Sequence, residues 1–152
     1  MIKINVIVKD KSWSKFIKNP ESYLKHKIKK IKNDKFFEKK SYSFSLQLSG
    51  SREIKALNKK FRKKNKSTDI LSFPNQTKKN LAILKKKKFK IYLGDVIINL
   101  KKINFSSKIS FKKHLDVLWI HGLVHLFGYD HKLESNYKKM NVIEKKLLKK
   151  LY

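Results

Sequence analysis

The chain has 152 residues, 40 of them Lys or Arg against 11 Asp or Glu, a formal net charge of +29, and no cysteine. That length fits one domain spanning 1–152 with a core of its own, and no Pro/Gly/Ser-rich linker divides it. Disulfides and thiolate zinc sites are excluded, so a metal must be held by His, Asp or Glu; the absence of a long apolar run predicts no signal peptide, no membrane contact and a cytoplasmic location.

Ile2, Ile4, Val6 and Val8 alternate with other residues as one face of a first strand. Ser12 is placed to cap a short helix. Asn19-Pro20-Glu21 then starts a longer one, with Asn at the N-cap, Pro at the first helical position and an acid in the first turn. Leu24, Ile28 and Ile31 supply its buried stripe. Tyr42, Phe44, Leu46 and Leu48 line a second strand. After Gly50, Ser51 and Glu53 begin a helix whose Ile54, Leu57 and Phe61 recur at helical spacing. Asp69 to Phe73 reads as a short strand stopped by Pro74, and residues 75 to 90 read as a polar, basic loop. Tyr92 to Ile98 forms a strand broken at Gly94-Asp95. A helix runs from Ser110 to about Phe127, and Met140, Ile143, Leu147 and Leu151 mark the buried face of a last one. This order predicts an α+β fold: a single small mixed β-sheet packed by about five helices, with a metal cleft formed by a helix and its C-terminal loop.

Two readings of the charge compete. A surface of that sign attracts RNA, DNA or anionic lipid through counterion release. Yet of the 40 basic residues only Arg52 and Arg62 are arginine, and lysine with abundant Asn and Ile is what an AT-rich genome writes regardless of function. The run Lys85 to Lys88 reads as an exposed loop rather than a phosphate clamp.

The sharpest feature is His121-Gly-Leu-Val-His125-Leu-Phe-Gly128-Tyr-Asp-His131. Imidazoles at i and i+4 share one helix face, and a third returning after Gly128 closes three sides of a tetrahedron around a zinc-like ion. The fourth position is left for water or substrate, the mark of a catalytic site. His114, Leu118, His121 and His125 fall on one stripe of the helix, beside an apolar stripe of Leu115, Trp119, Gly122 and Leu126. His114 is too far along to join the same coordination sphere and reads as a cleft-edge or substrate-contacting residue. The spacing is that of metzincin proteases, but their general-base glutamate is replaced by Gly122, which can neither take a proton nor orient water.

This motif resembles the signature of the YbeY family of bacterial metal-dependent endoribonucleases. Two more blocks agree in order and spacing: Leu57-Asn-Lys-Lys-Phe-Arg62 leading to Ser67-Thr-Asp-Ile-Leu-Ser-Phe-Pro74, and Leu93-Gly-Asp-Val-Ile-Ile98. Met140 and Glu144 on the closing helix also fit. The resemblance covers most of the chain from residue 51 onward; earlier residues match only in strand-helix-strand order. It departs at Ser67, where the family often has proline, and the basic 75 to 90 segment has no assigned counterpart.

The resemblance implies one Zn2+ per chain on His121, His125 and His131, with Arg62 as the functional arginine. It implies an endonuclease of single-stranded RNA linked to 3′-end maturation of small-subunit (16S) rRNA and to ribosome quality control, with RNA and the small ribosomal subunit as partners. Arg62 suits the chemistry because its planar fork binds two phosphate oxygens at once. Asp130 is placed either to orient His131 or to cap a turn, and Asp69 and Asp95 either to support the cleft or to serve structure. The general base is unassigned. Two alternatives stay open: a zincin-type metallopeptidase, and a non-catalytic basic ribosome-binding module with a structural metal.

Overall fold

The computed structural model describes residues 1–104 and 106–152. Strand β1 (Ile2–Val8) leads through a 3-10 turn into α1 (Pro20–Ile31), and β2 (Ser41–Ser49) into α2 (Ser51–Arg62). Then follow β3 (Ile70–Pro74), α3 (Lys78–Lys87), β4 (Lys90–Asn99), α4 (Lys108–Leu126) and α5 (Glu134–Leu151). The sheet order is β1-β2-β4-β3, with β1, β2 and β4 parallel and β3 antiparallel to β4 at the edge. The α+β fold with a mixed sheet and five helices is therefore present as predicted.

Local chemistry accounts for most boundaries. Asn19 accepts a hydrogen bond from Ser22 N with Pro20 opening α1, and Ser107 and Ser110 form a reciprocal capping box that starts α4 two residues before the predicted Ser110. The first 3-10 turn is capped by Asp10, which accepts from Ser12 N; Ser12 is thus inside the turn rather than its cap, because the carboxylate one step earlier reaches the free amides.

The segment from 75 to 90 corrects the expected loop. Thr77 caps α3 by accepting from Asn80 N, and Leu81 and Leu84, three residues apart, pack into the main core. Lysine is a good helix former, and Lys85 to Lys87 sit in the last turn, where the helix dipole favours cations. The charges masked a short amphipathic helix.

Both faces of the sheet are used unequally. Ile2, Ile4, Tyr42, Phe44, Leu46, Leu48, Leu93, Val96 and Ile98 meet α1 and α4 in the main core. On the opposite face α2 covers a smaller cluster, in which Ile54 and Leu57 meet Leu71, Phe73 and Ile97. Helix α4 departs from the expected two-stripe pattern: Ile120, Leu123 and Val124 are buried as well, since α5 closes the side away from the sheet.

A buried polar knot ties α5 down. Asp116 of α4, wholly buried, accepts from Trp119 Nε1 at 2.8 Å, Tyr23 OH at 2.8 Å and Tyr152 OH at 2.6 Å, and pairs with Lys27 Nζ at 3.2 Å. Burial first, and then Asp116 through both its charge and its hydrogen bond, raises the pKa of both phenols. They stay protonated donors, so the carboxylate keeps its partners.

At Gly122 α4 packs directly against the sheet. A Cβ there would stand 2.6 Å from Val96 Cγ1 and 3.0 Å from Ile70 Cδ1. Gly122→Ala gains about 1 kcal/mol of helix propensity but meets an overpacking cost of about 1–3 kcal/mol against rigid β-branched neighbours. A net loss of about 1 kcal/mol is expected, read as a lower urea midpoint with unchanged slope; an unchanged or higher midpoint would contradict it.

Candidate functional site

The last turns of α4 carry His121 and His125 on one face. Gly128, at φ +85°, reverses the chain; its N–H donates to the His125 carbonyl at 2.9 Å. A Cβ at that residue would come within 2.7 Å of Lys78 Cβ, so both the conformation and the close pass of α3 require glycine. The reversed chain brings His131 back. One ligand nitrogen from each of His121, His125 and His131 lies within 4.8 Å of the others.

Hydrogen bonds fix which nitrogens point inward. His125 Nδ1 lies 2.8 Å from the Tyr129 carbonyl oxygen, an acceptor only, so Nδ1 carries the proton and donates. His121 Nδ1 lies 2.7 Å from Glu144 Oε1 and donates to that carboxylate. Both Nε2 atoms then present lone pairs, and they face each other across 3.0 Å. Such a pair repels unless a cation or proton lies beside it, so the donor set fits a divalent ion held by imidazole. Burial, and next the neighbouring His121, lowers the pKa of His125, which favours the neutral ligating form.

Glu144 was not foreseen as a partner of this centre. It sits on α5 and accepts from His121 as the carboxylate of a carboxylate–histidine pair, orienting the ring and raising its basicity. The available signal was an acid four residues after buried Met140 and three before buried Leu147, on an otherwise apolar stripe. Glu144→Gln is expected to lower metal affinity about 10- to 100-fold with little change in folding, measured by chelator competition; equal affinities would remove the orienting role.

The histidines open into a cleft of about 790 Å³ that is also lined by Arg62, Asp69, His114 and Asp130. Arg62 ends α2, where Lys63 turns the chain through a left-handed residue at φ 59°. Its side chain is exposed. His114 differs from the cup histidines: its Nδ1 accepts from Asn104 N at 3.0 Å, leaving Nε2 as its protonated nitrogen. Asp69 Oδ1 accepts from Thr68 Oγ1 at 3.2 Å. Asp130 accepts from Lys132 N at 3.1 Å and Asn136 Nδ2 at 3.4 Å, which is the turn-capping alternative rather than a bond to His131.

Asp95 is the correction. It lies on the opposite face of the sheet, in a groove with Phe61 and Phe73, and does not line the histidine cleft. The register explains it: Tyr92 pairs with Ser43 but Asp95 with Ser45, so Leu93 and Gly94 together oppose Phe44. This bulge, with Gly94 at φ 132°, shifts the alternation by one and sends Asp95 outward.

Comparisons with known proteins agree with one another. The family model described as Endoribonuclease YbeY matches residues 7–152. A Pelagibacter ubique protein named Endoribonuclease YbeY is 38% identical over 143 residues, covering 92% of this chain and 90% of the relative. One of the same name from Ehrlichia canis is 35% identical over 159 residues, covering 99% and 93%. The solution structure of TM1509 from Thermotoga maritima superposes with a TM-score of 0.55 at 26% identity, over 99% of this chain and 89% of that one.

Proposed function

The chain belongs to the YbeY family of endoribonucleases, and from that premise we propose that it is a single-strand-specific, metal-dependent endoribonuclease acting in 3′-end maturation of 16S rRNA and late ribosome quality control. The proposal places it in the cytoplasm with RNA of the small ribosomal subunit as partner. No helix among the described residues is long and apolar enough to cross a membrane.

The observation that carries the metal-dependent reading is the pair of Nε2 lone pairs facing each other at 3.0 Å, each ring held by its own Nδ1 hydrogen bond. His121, His125 and His131 would hold Zn2+. When bound, the ion supplies Lewis acidity toward a phosphoryl oxygen and toward water.

The remaining work falls to the chain. Arg62, on the wall of the same cleft, offers parallel donors to two non-bridging phosphate oxygens and neutralises charge that grows in the transition state. His114 Nε2–H is a donor along that wall, suited to a phosphate or ribose oxygen. The only carboxylate hydrogen-bonded to a cup histidine among the described residues is Glu144, and it is engaged with His121 Nδ1. A mechanism led by the RNA 2′-hydroxyl, or by water without a protein base, is consistent with that arrangement.

A peptidase reading meets a steric obstacle as well as a chemical one. A Cβ at position 122 would already lie 2.6 Å from Val96 Cγ1 and 3.0 Å from Ile70 Cδ1, so the packing leaves no room for a glutamate there without rearrangement.

The test offers purified protein single-stranded RNA, duplex RNA and a peptide panel, with and without chelator. Cleavage of single-stranded RNA alone, lost with chelator and restored by zinc, is expected. Peptide hydrolysis with intact RNA would overturn the assignment.

A further inference from the structure

The two faces of edge strand β3 serve different spaces. Ile70, Ser72 and Pro74 line the histidine cleft, while Phe73 lines a second groove of about 360 Å³ on the opposite face, with Phe61, Asp95 and Ile97. Consecutive residues of α2 divide in the same way: Arg62 borders the cleft and Phe61 the groove. A strand leaving the cleft past Arg62 therefore meets the groove directly around the sheet edge.

We propose that this groove is a second subsite for the same single-stranded RNA, stacking one base on Phe61 and reading its Watson–Crick edge with Asp95, and that it favours guanine. The inference rests on the endoribonuclease reading for its ligand, not on any step of cleavage.

Aromatic area is offered, not hidden. Phe61 is 57% exposed and Tyr92 40%. Phe61 stands edge-on to Phe73 with centroids 5.3 Å apart, which leaves a ring face for stacking. Lys60 Nζ lies 5.2 Å from the Phe61 ring centroid, and Lys3 is exposed in the row Lys3, Ser43, Tyr92 on this open face. Cations beside aromatic rings complement a phosphate backbone with unstacked bases.

Asp95 supplies the selectivity. In a chain of net charge +29 no cation pairs with it among the described residues. Tyr92 OH donates to its Oδ1 at 2.7 Å and is itself hydrogen-bonded to Ser45 Oγ at 2.9 Å, which holds the carboxylate at the groove, and Oδ2 has no hydrogen-bond partner among the described residues. Guanine presents two adjacent donors, N1–H and N2–H, that match one carboxylate. Uracil sets two carbonyls beside its single donor and is repelled.

Binding of a long single-stranded oligonucleotide to metal-free protein tests this separately from catalysis. Phe61→Ala is expected to weaken binding about 10-fold. Asp95→Asn is expected to erase the preference for guanine over inosine, which lacks the N2 amine. Cleavage of a dinucleotide, too short to reach the groove, should be unchanged in both variants. Equal oligonucleotide affinity in wild type and Phe61→Ala, or no guanine preference in wild type, overturns the subsite while leaving the cleavage reading intact. Weakened binding in Phe61→Ala with no RNA cut by the zinc-loaded wild type would retain the subsite and defeat the cleavage reading. Self-association of wild type that Phe61→Ala abolishes, with oligonucleotide affinity unaffected, would give the groove to a second copy of the chain and also overturn the proposal.

Discussion

His125→Ala is expected to leave a folded protein that neither retains zinc nor cleaves RNA. The ring is half-buried at the end of α4, with Nδ1 held by the Tyr129 carbonyl and Nε2 facing that of His121. Losing only an outer-shell partner of a ligating histidine costs about 10- to 100-fold in metal affinity. Losing the ligand itself removes one of three protein donors and should cost more than about 100-fold. Two freed partners follow. The Tyr129 carbonyl sits in a partly exposed turn where water replaces the imidazole N–H, and His121 remains tied to Glu144. Stability should therefore fall little while metal content, by elemental analysis, falls to background. A variant that is metal-free yet fully active would sink the metal mechanism; one that keeps its zinc would mean that the three histidines are not the site.

The contrast between His125 and Asp95 shows which parts of this protein are legible in its sequence. Spacing within one helix is a local property: four residues place His121 and His125 on one face whatever surrounds the helix, and Gly128 marks the reversal that returns His131. The alternation of Tyr42, Phe44, Leu46 and Leu48 is equally local, and all four are buried. Asp95 fails because its face depends on one extra residue at Gly94, which period-two reading does not see. Glu144 fails for another reason. Its partner is 23 residues away and is reached because α5 packs back on α4, through buried Met140, Leu147 and Leu151 and through the Tyr152–Asp116 bond. The Tyr129 carbonyl that holds His125 is a backbone group and carries no side-chain signal at all. Helix α3 was hidden by composition: four successive lysines outweighed Leu81 and Leu84, although both leucines reach the core.

Arg62→Lys separates charge from geometry and is expected to lose nearly as much activity as Arg62→Ala. The two changes leave the cup untouched, since Arg62 belongs to α2 and the ligands to α4 and the turn after it; zinc content and melting should match wild type. Removing a preorganised donor from a developing oxyanion costs about 10²–10³ in kcat, and Arg62→Ala should fall in that range. If Arg62 contributed only positive potential, lysine would restore it, and so would the surroundings: Lys63, Lys64 and Lys132 are exposed nearby in sequence or on the cleft wall. A chain with so many lysines that retains arginine at the cleft points to the planar fork, whose parallel N–H groups hold two phosphate oxygens in fixed directions while an ammonium offers a point charge. Recovery of wild-type kcat by Arg62→Lys would reduce the residue to general electrostatics. Persistence of the defect, with salt dependence of binding unchanged because the net charge is the same, would identify bidentate contact to the reacting phosphate as its role.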